Sequence, residues 1–512
     1  MNVQSFFDHW SIAENPFRAE EARHDPVFAR LGDGPAGHPD FAKIVGDLDR
    51  PATSIVFGEK GSGKTAIRLQ LAQRVTEHNL AQPEARVLLV AYDELNPVVD
   101  ELCARVGSSK VATDGREVLK ALKKMRLIDH MDAILHRAVE PLVAGLLGHE
   151  RADGPDLPDD ATRRLRKAPV DARRELVRLQ LLYDRDENAP LRTARLRRAV
   201  SAPGSVSDRL WLAAGALGWI PAALFVALPL YFGAEWLGSE AWWWIFAVLA
   251  GLWLLVIGWI LLGRPAMRRV LARRVARQFR VFRRSMHAVA GSLAHVSDAD
   301  RRPDALLLGE TEEPRYEMLG SLHRVLAELG FAGLIVVIDR VDEPMLVNGD
   351  PDRMRAIVWP LMNNKFLQQQ RLGIKMLLPL ELRHELFRES ATFFQEARLD
   401  KQNLVERLTW SGAMLYDLCN ARLSACRAPG AEPIGLADLF GDDVTRQDIV
   451  DALDQMRQPR DAFKMLYQCI AEHCSNVVEE DAAWCIPRLT LEAVRRRHAD
   501  RVQEFSRGMR PA

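Results

Sequence analysis

The chain has 512 residues, enough at about 150 per unit for several structural units and a sizeable core. Lys+Arg 69 against Asp+Glu 69 leaves no net charge, which argues against wholesale nucleic-acid binding. Six cysteines with no CxxC pair exclude a disulfide scaffold and point to a reducing compartment, while 48% hydrophobic and 27% charged residues exclude general disorder.

Ser54 to Phe57 reads as a short buried strand, and Thr65 to Thr76 has helical spacing of its apolar residues. Between them, Gly58-Glu-Lys-Gly-Ser-Gly-Lys64-Thr65 fits G-x-x-x-x-G-K-[ST] at every fixed position, in the strand–loop–helix context that motif needs. Glycines let backbone N–H groups wrap a phosphate, the helix start adds its positive dipole end, Lys64 neutralises the β/γ-phosphates, and the Thr65 hydroxyl can ligate Mg²⁺. Gly58, Gly61, Ser62, Gly63, Lys64 and Thr65 are therefore the expected nucleotide contacts. Arg86 to Tyr92 is a second strand; Tyr92-Asp93-Glu94 at its end reads as a solvated turn, with a place facing the nucleotide site as the alternative.

Residues from about 114 to 200 read as helical and arginine-rich. Leu210 to Gly263 then carries no Lys, Arg or Asp and only two Glu. Residues 210–233 and 241–263 each exceed the ~20 apolar residues that span a bilayer, with 234–240 as the turn. Eight of the twelve Trp fall here, several near the expected ends. Five Arg precede this stretch closely, and nine Arg between 264 and 284 follow it without an acid, so both ends are expected on the cytoplasmic side. The basic run reads as membrane anchoring rather than nucleic-acid contact, and 264–296 as one amphipathic helix continuing the second span.

Tyr316 to Leu329 is helix-like, Leu334 to Ile338 a third strand, and Ile374 to Leu378 a fourth, so the expected fold is α/β with a mostly parallel sheet. Asp339 ends the third strand at the edge where ligands bind in such sheets and is the expected Mg²⁺ residue. Asp342 and Glu343 follow in the turn, within reach of the water that attacks a γ-phosphate. Cys469, His473, Cys474 and Cys485 do not match common zinc spacings and read as buried helix residues.

A hydrophobic strand ending in DxxDE resembles the Walker B of STAND-type NTPases, including NACHT domains. A core with membrane helices between Walker A and Walker B is similar to the KAP family of P-loop NTPases. The resemblance implies an ATPase of the additional-strand class with ATP and Mg²⁺ as cofactors, in which Asp339 holds the metal and Asp342 activates water. It also implies a helical lid whose arginine senses the γ-phosphate, and Gln458-Pro-Arg460 fits that place; Arg383 and Arg398 are further candidates. Asn15-Pro16-Phe17 stands where such ATPases place an adenine-contacting segment. The expected organisation is 1–112 and 314–400 as the two parts of the core, 113–313 as a helical insertion with the transmembrane hairpin, and 401–512 as the lid and C-terminal helices. The chain departs from both patterns at Arg340, which leaves the choice of catalytic residue between Asp342 and Glu343, with Lys64. The expected function is a membrane-anchored, two-span ATPase of the cytoplasmic membrane driving a switch, with the bilayer, a protein partner and a second copy of the chain as candidate partners and nucleic acid disfavoured. The alternative is a low-turnover, nucleotide-gated scaffold in signalling or defence.

Overall fold

The computed structural model describes residues 1–18, 21–31, 37–107, 114–149, 154–232, 240–306, 308–478 and 483–506. Five strands, β1 (Ser54–Gly58), β2 (Arg86–Tyr92), β3 (Phe331–Ile338), β4 (Leu372–Pro379) and β5 (Asn403–Val405), form one sheet in the order β2-β3-β4-β1-β5. Every pairing is parallel. The strand β4 therefore lies between the strand that ends in the glycine loop and the strand that ends in Asp339.

Alternation along the strands assigns the two faces. Ile55, Phe57, Leu88, Val90, Leu334, Val336, Ile374 and Met376 turn to the larger core, built with helices from the 127–200 and 313–328 regions. Val56, Val87, Ile335, Val337 and Leu377 turn the other way, under the helix Lys64–Ala81 and its Ile67, Leu71 and Val75. Both faces are covered, as a parallel sheet requires. Lys375, fully buried on β4, is held by Val45 O (2.9 Å), Ala52 O (2.7 Å) and Ser54 Oγ (3.2 Å).

A third core joins the two ends of the chain. Phe6, Phe7, Ile12, Phe17 and Val27 pack among Leu415, Cys419, Met465, Ile470 and Leu491. Backbone bonds from Ala13 N to Cys426 O and from Ala428 N to Ser11 O tie the two segments together at an isolated antiparallel bridge. The first thirty or so residues thus belong with the C-terminal helices rather than with the sheet.

Two helices, Val206–Leu228 and Glu240–Gln278, are long and apolar enough to cross a membrane, and their apolar windows are almost wholly exposed. They run antiparallel: Trp211 meets Trp259 (6.4 Å between centroids) near one end and Phe225 stacks on Trp242 (5.7 Å) near the other. Gly215 sits where a Cβ would stand 2.8 Å from Ile260 Cδ1, and its carbonyl accepts from Trp253 Nε1 (2.9 Å). The first helix begins at Val206, capped by Ser205, earlier than the expected Leu210. The expected turn lies outside the described residues except for Glu240. The single helix expected over 264–296 ends instead at Gln278. Phe279 and Phe282 pull the chain out of helical geometry to stack on each other (4.7 Å) and pack against Tyr183 and His136. A second, short helix follows at Met286–Leu293.

Candidate functional site

Strands that run parallel present their carboxyl ends at one edge. There the ends of β1, β3 and β4 open on a cavity of about 860 Å³, closed from above by residues between 21 and 31 and by the helices Gly412–Ala425 and Pro459–Asn476. That size suits a small-molecule ligand such as a nucleotide.

Gly61 and Gly63 hold φ of +96° and +99°, left-handed values that side chains resist. A Cβ on Gly61 would also stand 2.8 Å from Gln458 Oε1 and 3.2 Å from Arg460 Cβ, so the C-terminal helix rests on the loop itself. Lys64 opens the helix Lys64–Ala81, and its Nζ donates to Gly58 O (2.7 Å) and Glu59 O (2.9 Å), two carbonyls of its own loop. Burial lowers the pKa of Lys64, opposed by the nearby charges of Asp339, Asp342, Glu381 and Glu59. Trp410 Nε1 donates to Ser62 O (2.9 Å), while Gln458 and Arg407 both reach the Glu59 carboxylate.

Asp339 is 1% exposed. Its Oδ1 accepts from Arg340 N (2.9 Å), but Oδ2 has no hydrogen-bond partner among the described residues. Arg68 Nε stands 3.8 Å from Oδ2, and Arg68 is itself tied to Asp93. Burial pushes the Asp339 pKa above the usual carboxylate range, against the pull of Arg68 and Lys64. A buried carboxylate oxygen lacking a donor is costly, and a cation relieves it. With Thr65 on the same cavity the donors are oxygen only, which suits a hard cation such as Mg²⁺.

Arg340 adopts φ +58° and turns its guanidinium to Glu343 (3.4 Å) and Glu21 (3.0 Å). Burial raises the Glu343 pKa, with Arg340 opposing and Asp342 adding to the rise. Asp342 also lines the cavity, and its carbonyl accepts from Gly349 N (3.0 Å).

Gly61, Gly63, Lys64, Thr65, Asp339, Asp342, Glu343 and Arg460 thus share one cavity, with Gly58 and Ser62 buried in the loop beneath it. Other expectations need correction. Arg383 pairs with Glu406 (2.7 Å), and Arg398 lines a separate cavity at the amino ends of the strands. Neither reaches the loop. Asp93 is no solvated turn residue, being held at 8% side-chain exposure by Arg68 and Arg23. Asn15-Pro16-Phe17 stays off the cavity: Phe17 is buried and Pro16 O accepts from Arg422 Nε (2.7 Å). Cys469, His473 and Cys474 are buried in a helix as expected, with His473 Nε2 bonding Ala483 O (2.8 Å), but Cys485 is exposed and lies outside the helices.

Asp25, His38 and Arg422 of the cavity carried no local sequence signal. Asp25 and Arg422 form a buried pair (2.7 Å) between the N-terminal segment and the lid. His38 bonds Thr409 O (2.8 Å) and meets the Trp410 ring edge-on (5.0 Å). Glu381, two residues past β4, had the same signal as Asp339, an acid after a buried strand, but only the sheet order brings it beside Lys64. No protein-family model, curated protein or solved structure matches the chain.

Proposed function

We propose that the chain is a membrane-anchored P-loop ATPase that binds Mg·ATP on the Gly58–Thr65 loop and hydrolyses it to drive a switch or remodelling step on the cytoplasmic side. The observation that carries this reading is the meeting, in one cavity, of Lys64 and Thr65 at a helix start with a buried, unpartnered carboxylate oxygen at the end of β3. The position of β4 between β1 and β3 supports the additional-strand class, to which the KAP-like and STAND-like resemblance belongs.

Loop N–H groups and the positive end of the helix Lys64–Ala81 bind the phosphates. Lys64 leaves Gly58 O and Glu59 O for the β/γ-phosphates. Thr65 and Asp339 would hold Mg²⁺, which supplies charge neutralisation at the phosphate oxygens. Asp342 orients the attacking water and accepts its proton, with Glu343 as the competing candidate. Arg460, packed on Gly61, contacts the γ-phosphate and gives the triphosphate and diphosphate states different lid positions. The exposed apolar helices at 206–228 and 240–263 cross the cytoplasmic membrane and leave the sheet and both termini on the cytoplasmic side. A protein partner or a second copy receives the change of shape.

The test is steady phosphate release by the protein in detergent or nanodiscs, abolished in Lys64→Ala. Tight ATP binding without turnover would sink the enzyme and favour the nucleotide-gated scaffold, a reading supported by the engagement of Glu343 with Arg340.

A further inference from the structure

Several arginines of the helical layer pair with acids. Arg164 reaches Glu84 (2.7 Å), Arg174 Asp300 (3.0 Å), Arg192 Asp184 (3.0 Å), Arg315 Asp132 (3.1 Å) and Arg324 Glu175 (2.6 Å). At the foot of the two apolar helices, Arg264 and Arg301 share Asp208, and Asp298 accepts from Ser205 and Ser207. Arg197, Arg198 and Arg268, near the same foot, have no such acid. Among the described residues no acid stands within ion-pair distance of any of the three, and Arg197 Nε is buried without a partner.

The three are held together by the fold. Arg197 and Arg198 close the helix Ala189–Ala199, and Arg268 follows the apolar end of the second membrane-length helix. Both helices pack on Met286–Leu293, and His295 follows its end. Burial, then the charges of Arg197, Arg198, Arg268 and Arg301, lowers the His295 pKa. The Arg197 guanidinium lies against Gly204, where a Cβ would stand 2.5 Å from Nη1, just before the chain enters the first apolar helix. Leu210, Leu261, Leu262 and Met267, on the ends of the two apolar helices nearest these arginines in sequence, are exposed.

Unpaired cations gathered in one place repel one another and attract an anion from outside. We infer that Arg197, Arg198 and Arg268 form a binding site for the phosphate headgroup of an anionic phospholipid, whose acyl chains lie along the exposed apolar helices. This rests on the membrane reading of those helices. The guanidinium fork matches phosphate oxygens, and the adjoining apolar surface selects a lipid over a soluble phosphate.

The experiment uses the full chain reconstituted into nanodiscs of phosphatidylcholine with one-fifth phosphatidylglycerol, with retained lipids identified by native mass spectrometry. The wild type should retain phosphatidylglycerol well above its share. The combined Arg197→Gln, Arg198→Gln, Arg268→Gln variant should lose that enrichment, retaining phosphatidylglycerol at about its bulk share, while still inserting. An equal charge change at the exposed Arg163, Arg388 and Arg496 should leave enrichment intact; if it abolishes enrichment equally, the effect is one of net charge and the site is overturned. Insertion with no phosphatidylglycerol preference, or equal displacement by free glycerol phosphate, overturns the headgroup site and leaves the membrane reading standing. Failure to insert, scored by flotation with phosphatidylcholine vesicles, overturns both.

Discussion

Asp339→Asn separates the structural cost of the unpartnered carboxylate from its use. The amide occupies nearly the same volume, and its oxygen can take over an acceptor role, so a buried charge is removed without opening a cavity. Asp339 has its pKa raised above 3.8 by burial, and a carboxyl raised on folding loses stability as pH climbs through that window. The penalty of holding the charged form therefore grows as pH rises through that window. An ionised carboxylate costs more to bury than a neutral amide, a difference part of which Arg68 offsets from 3.8 Å, so the ligand-free variant should gain about 1 kcal/mol. Arg68 keeps its pairing with Asp93 in either case. Mg·ATP at a hundredfold excess over Kd should stabilise the wild type by about 2.7 kcal/mol. In Asp339→Asn that increment should shrink to less than half, because the cation loses its protein counter-charge. Thermal unfolding in detergent, with no ligand, with ATP and EDTA, and with Mg·ATP, reads both numbers. A variant that is less stable without ligand and keeps the full Mg·ATP shift would refute the assignment of Asp339 to the metal.

Asp342→Asn should leave Mg·ATP binding nearly intact while phosphate release falls by roughly 10²-fold, the scale of losing a general base; Glu343→Gln should be milder, and the reverse ranking would transfer the role to Glu343. Lys375 has its pKa pushed down to about 7, so between that value and 10.5 the unfolded chain binds a proton that the folded chain does not, and its contribution to stability rises with pH. Denaturant unfolding at pH 7, 8 and 9 should show the wild type gaining on Lys375→Met by up to about 1.4 kcal/mol per unit, and equal slopes for the two proteins would contradict this.

The strands and the glycine loop were legible because their signals are local. A run such as Leu334–Ile338 is apolar enough to need burial on both faces, and the loop motif is contiguous. Contacts between distant segments were not legible. Nothing in the residues around Asp25 announces Arg422, and nothing near His38 announces Trp410, because each pair meets only after the chain ends fold together over the sheet edge. The end of the helix at Gln278 was missed for a related reason: local helical spacing continues, but Phe279 and Phe282 are buried against Tyr183 and His136, residues far away in sequence. Tertiary burial overrode a weak local preference.

The acidic turn shows the limit of spacing most clearly. DxxDE places two carboxylates after the strand, and sequence distance alone cannot rank them as bases. Arg340 ranks them by geometry. Its left-handed backbone swings the side chain away from Asp339 and onto Glu343 and Glu21, so a water-activating role for Glu343 requires breaking an ion pair that also anchors the N-terminal segment. Asp342 is in no ion pair among the described residues and lines the same cavity. A base must be free to accept a proton where the water sits, so the residue without a standing cation partner is the better placed of the two.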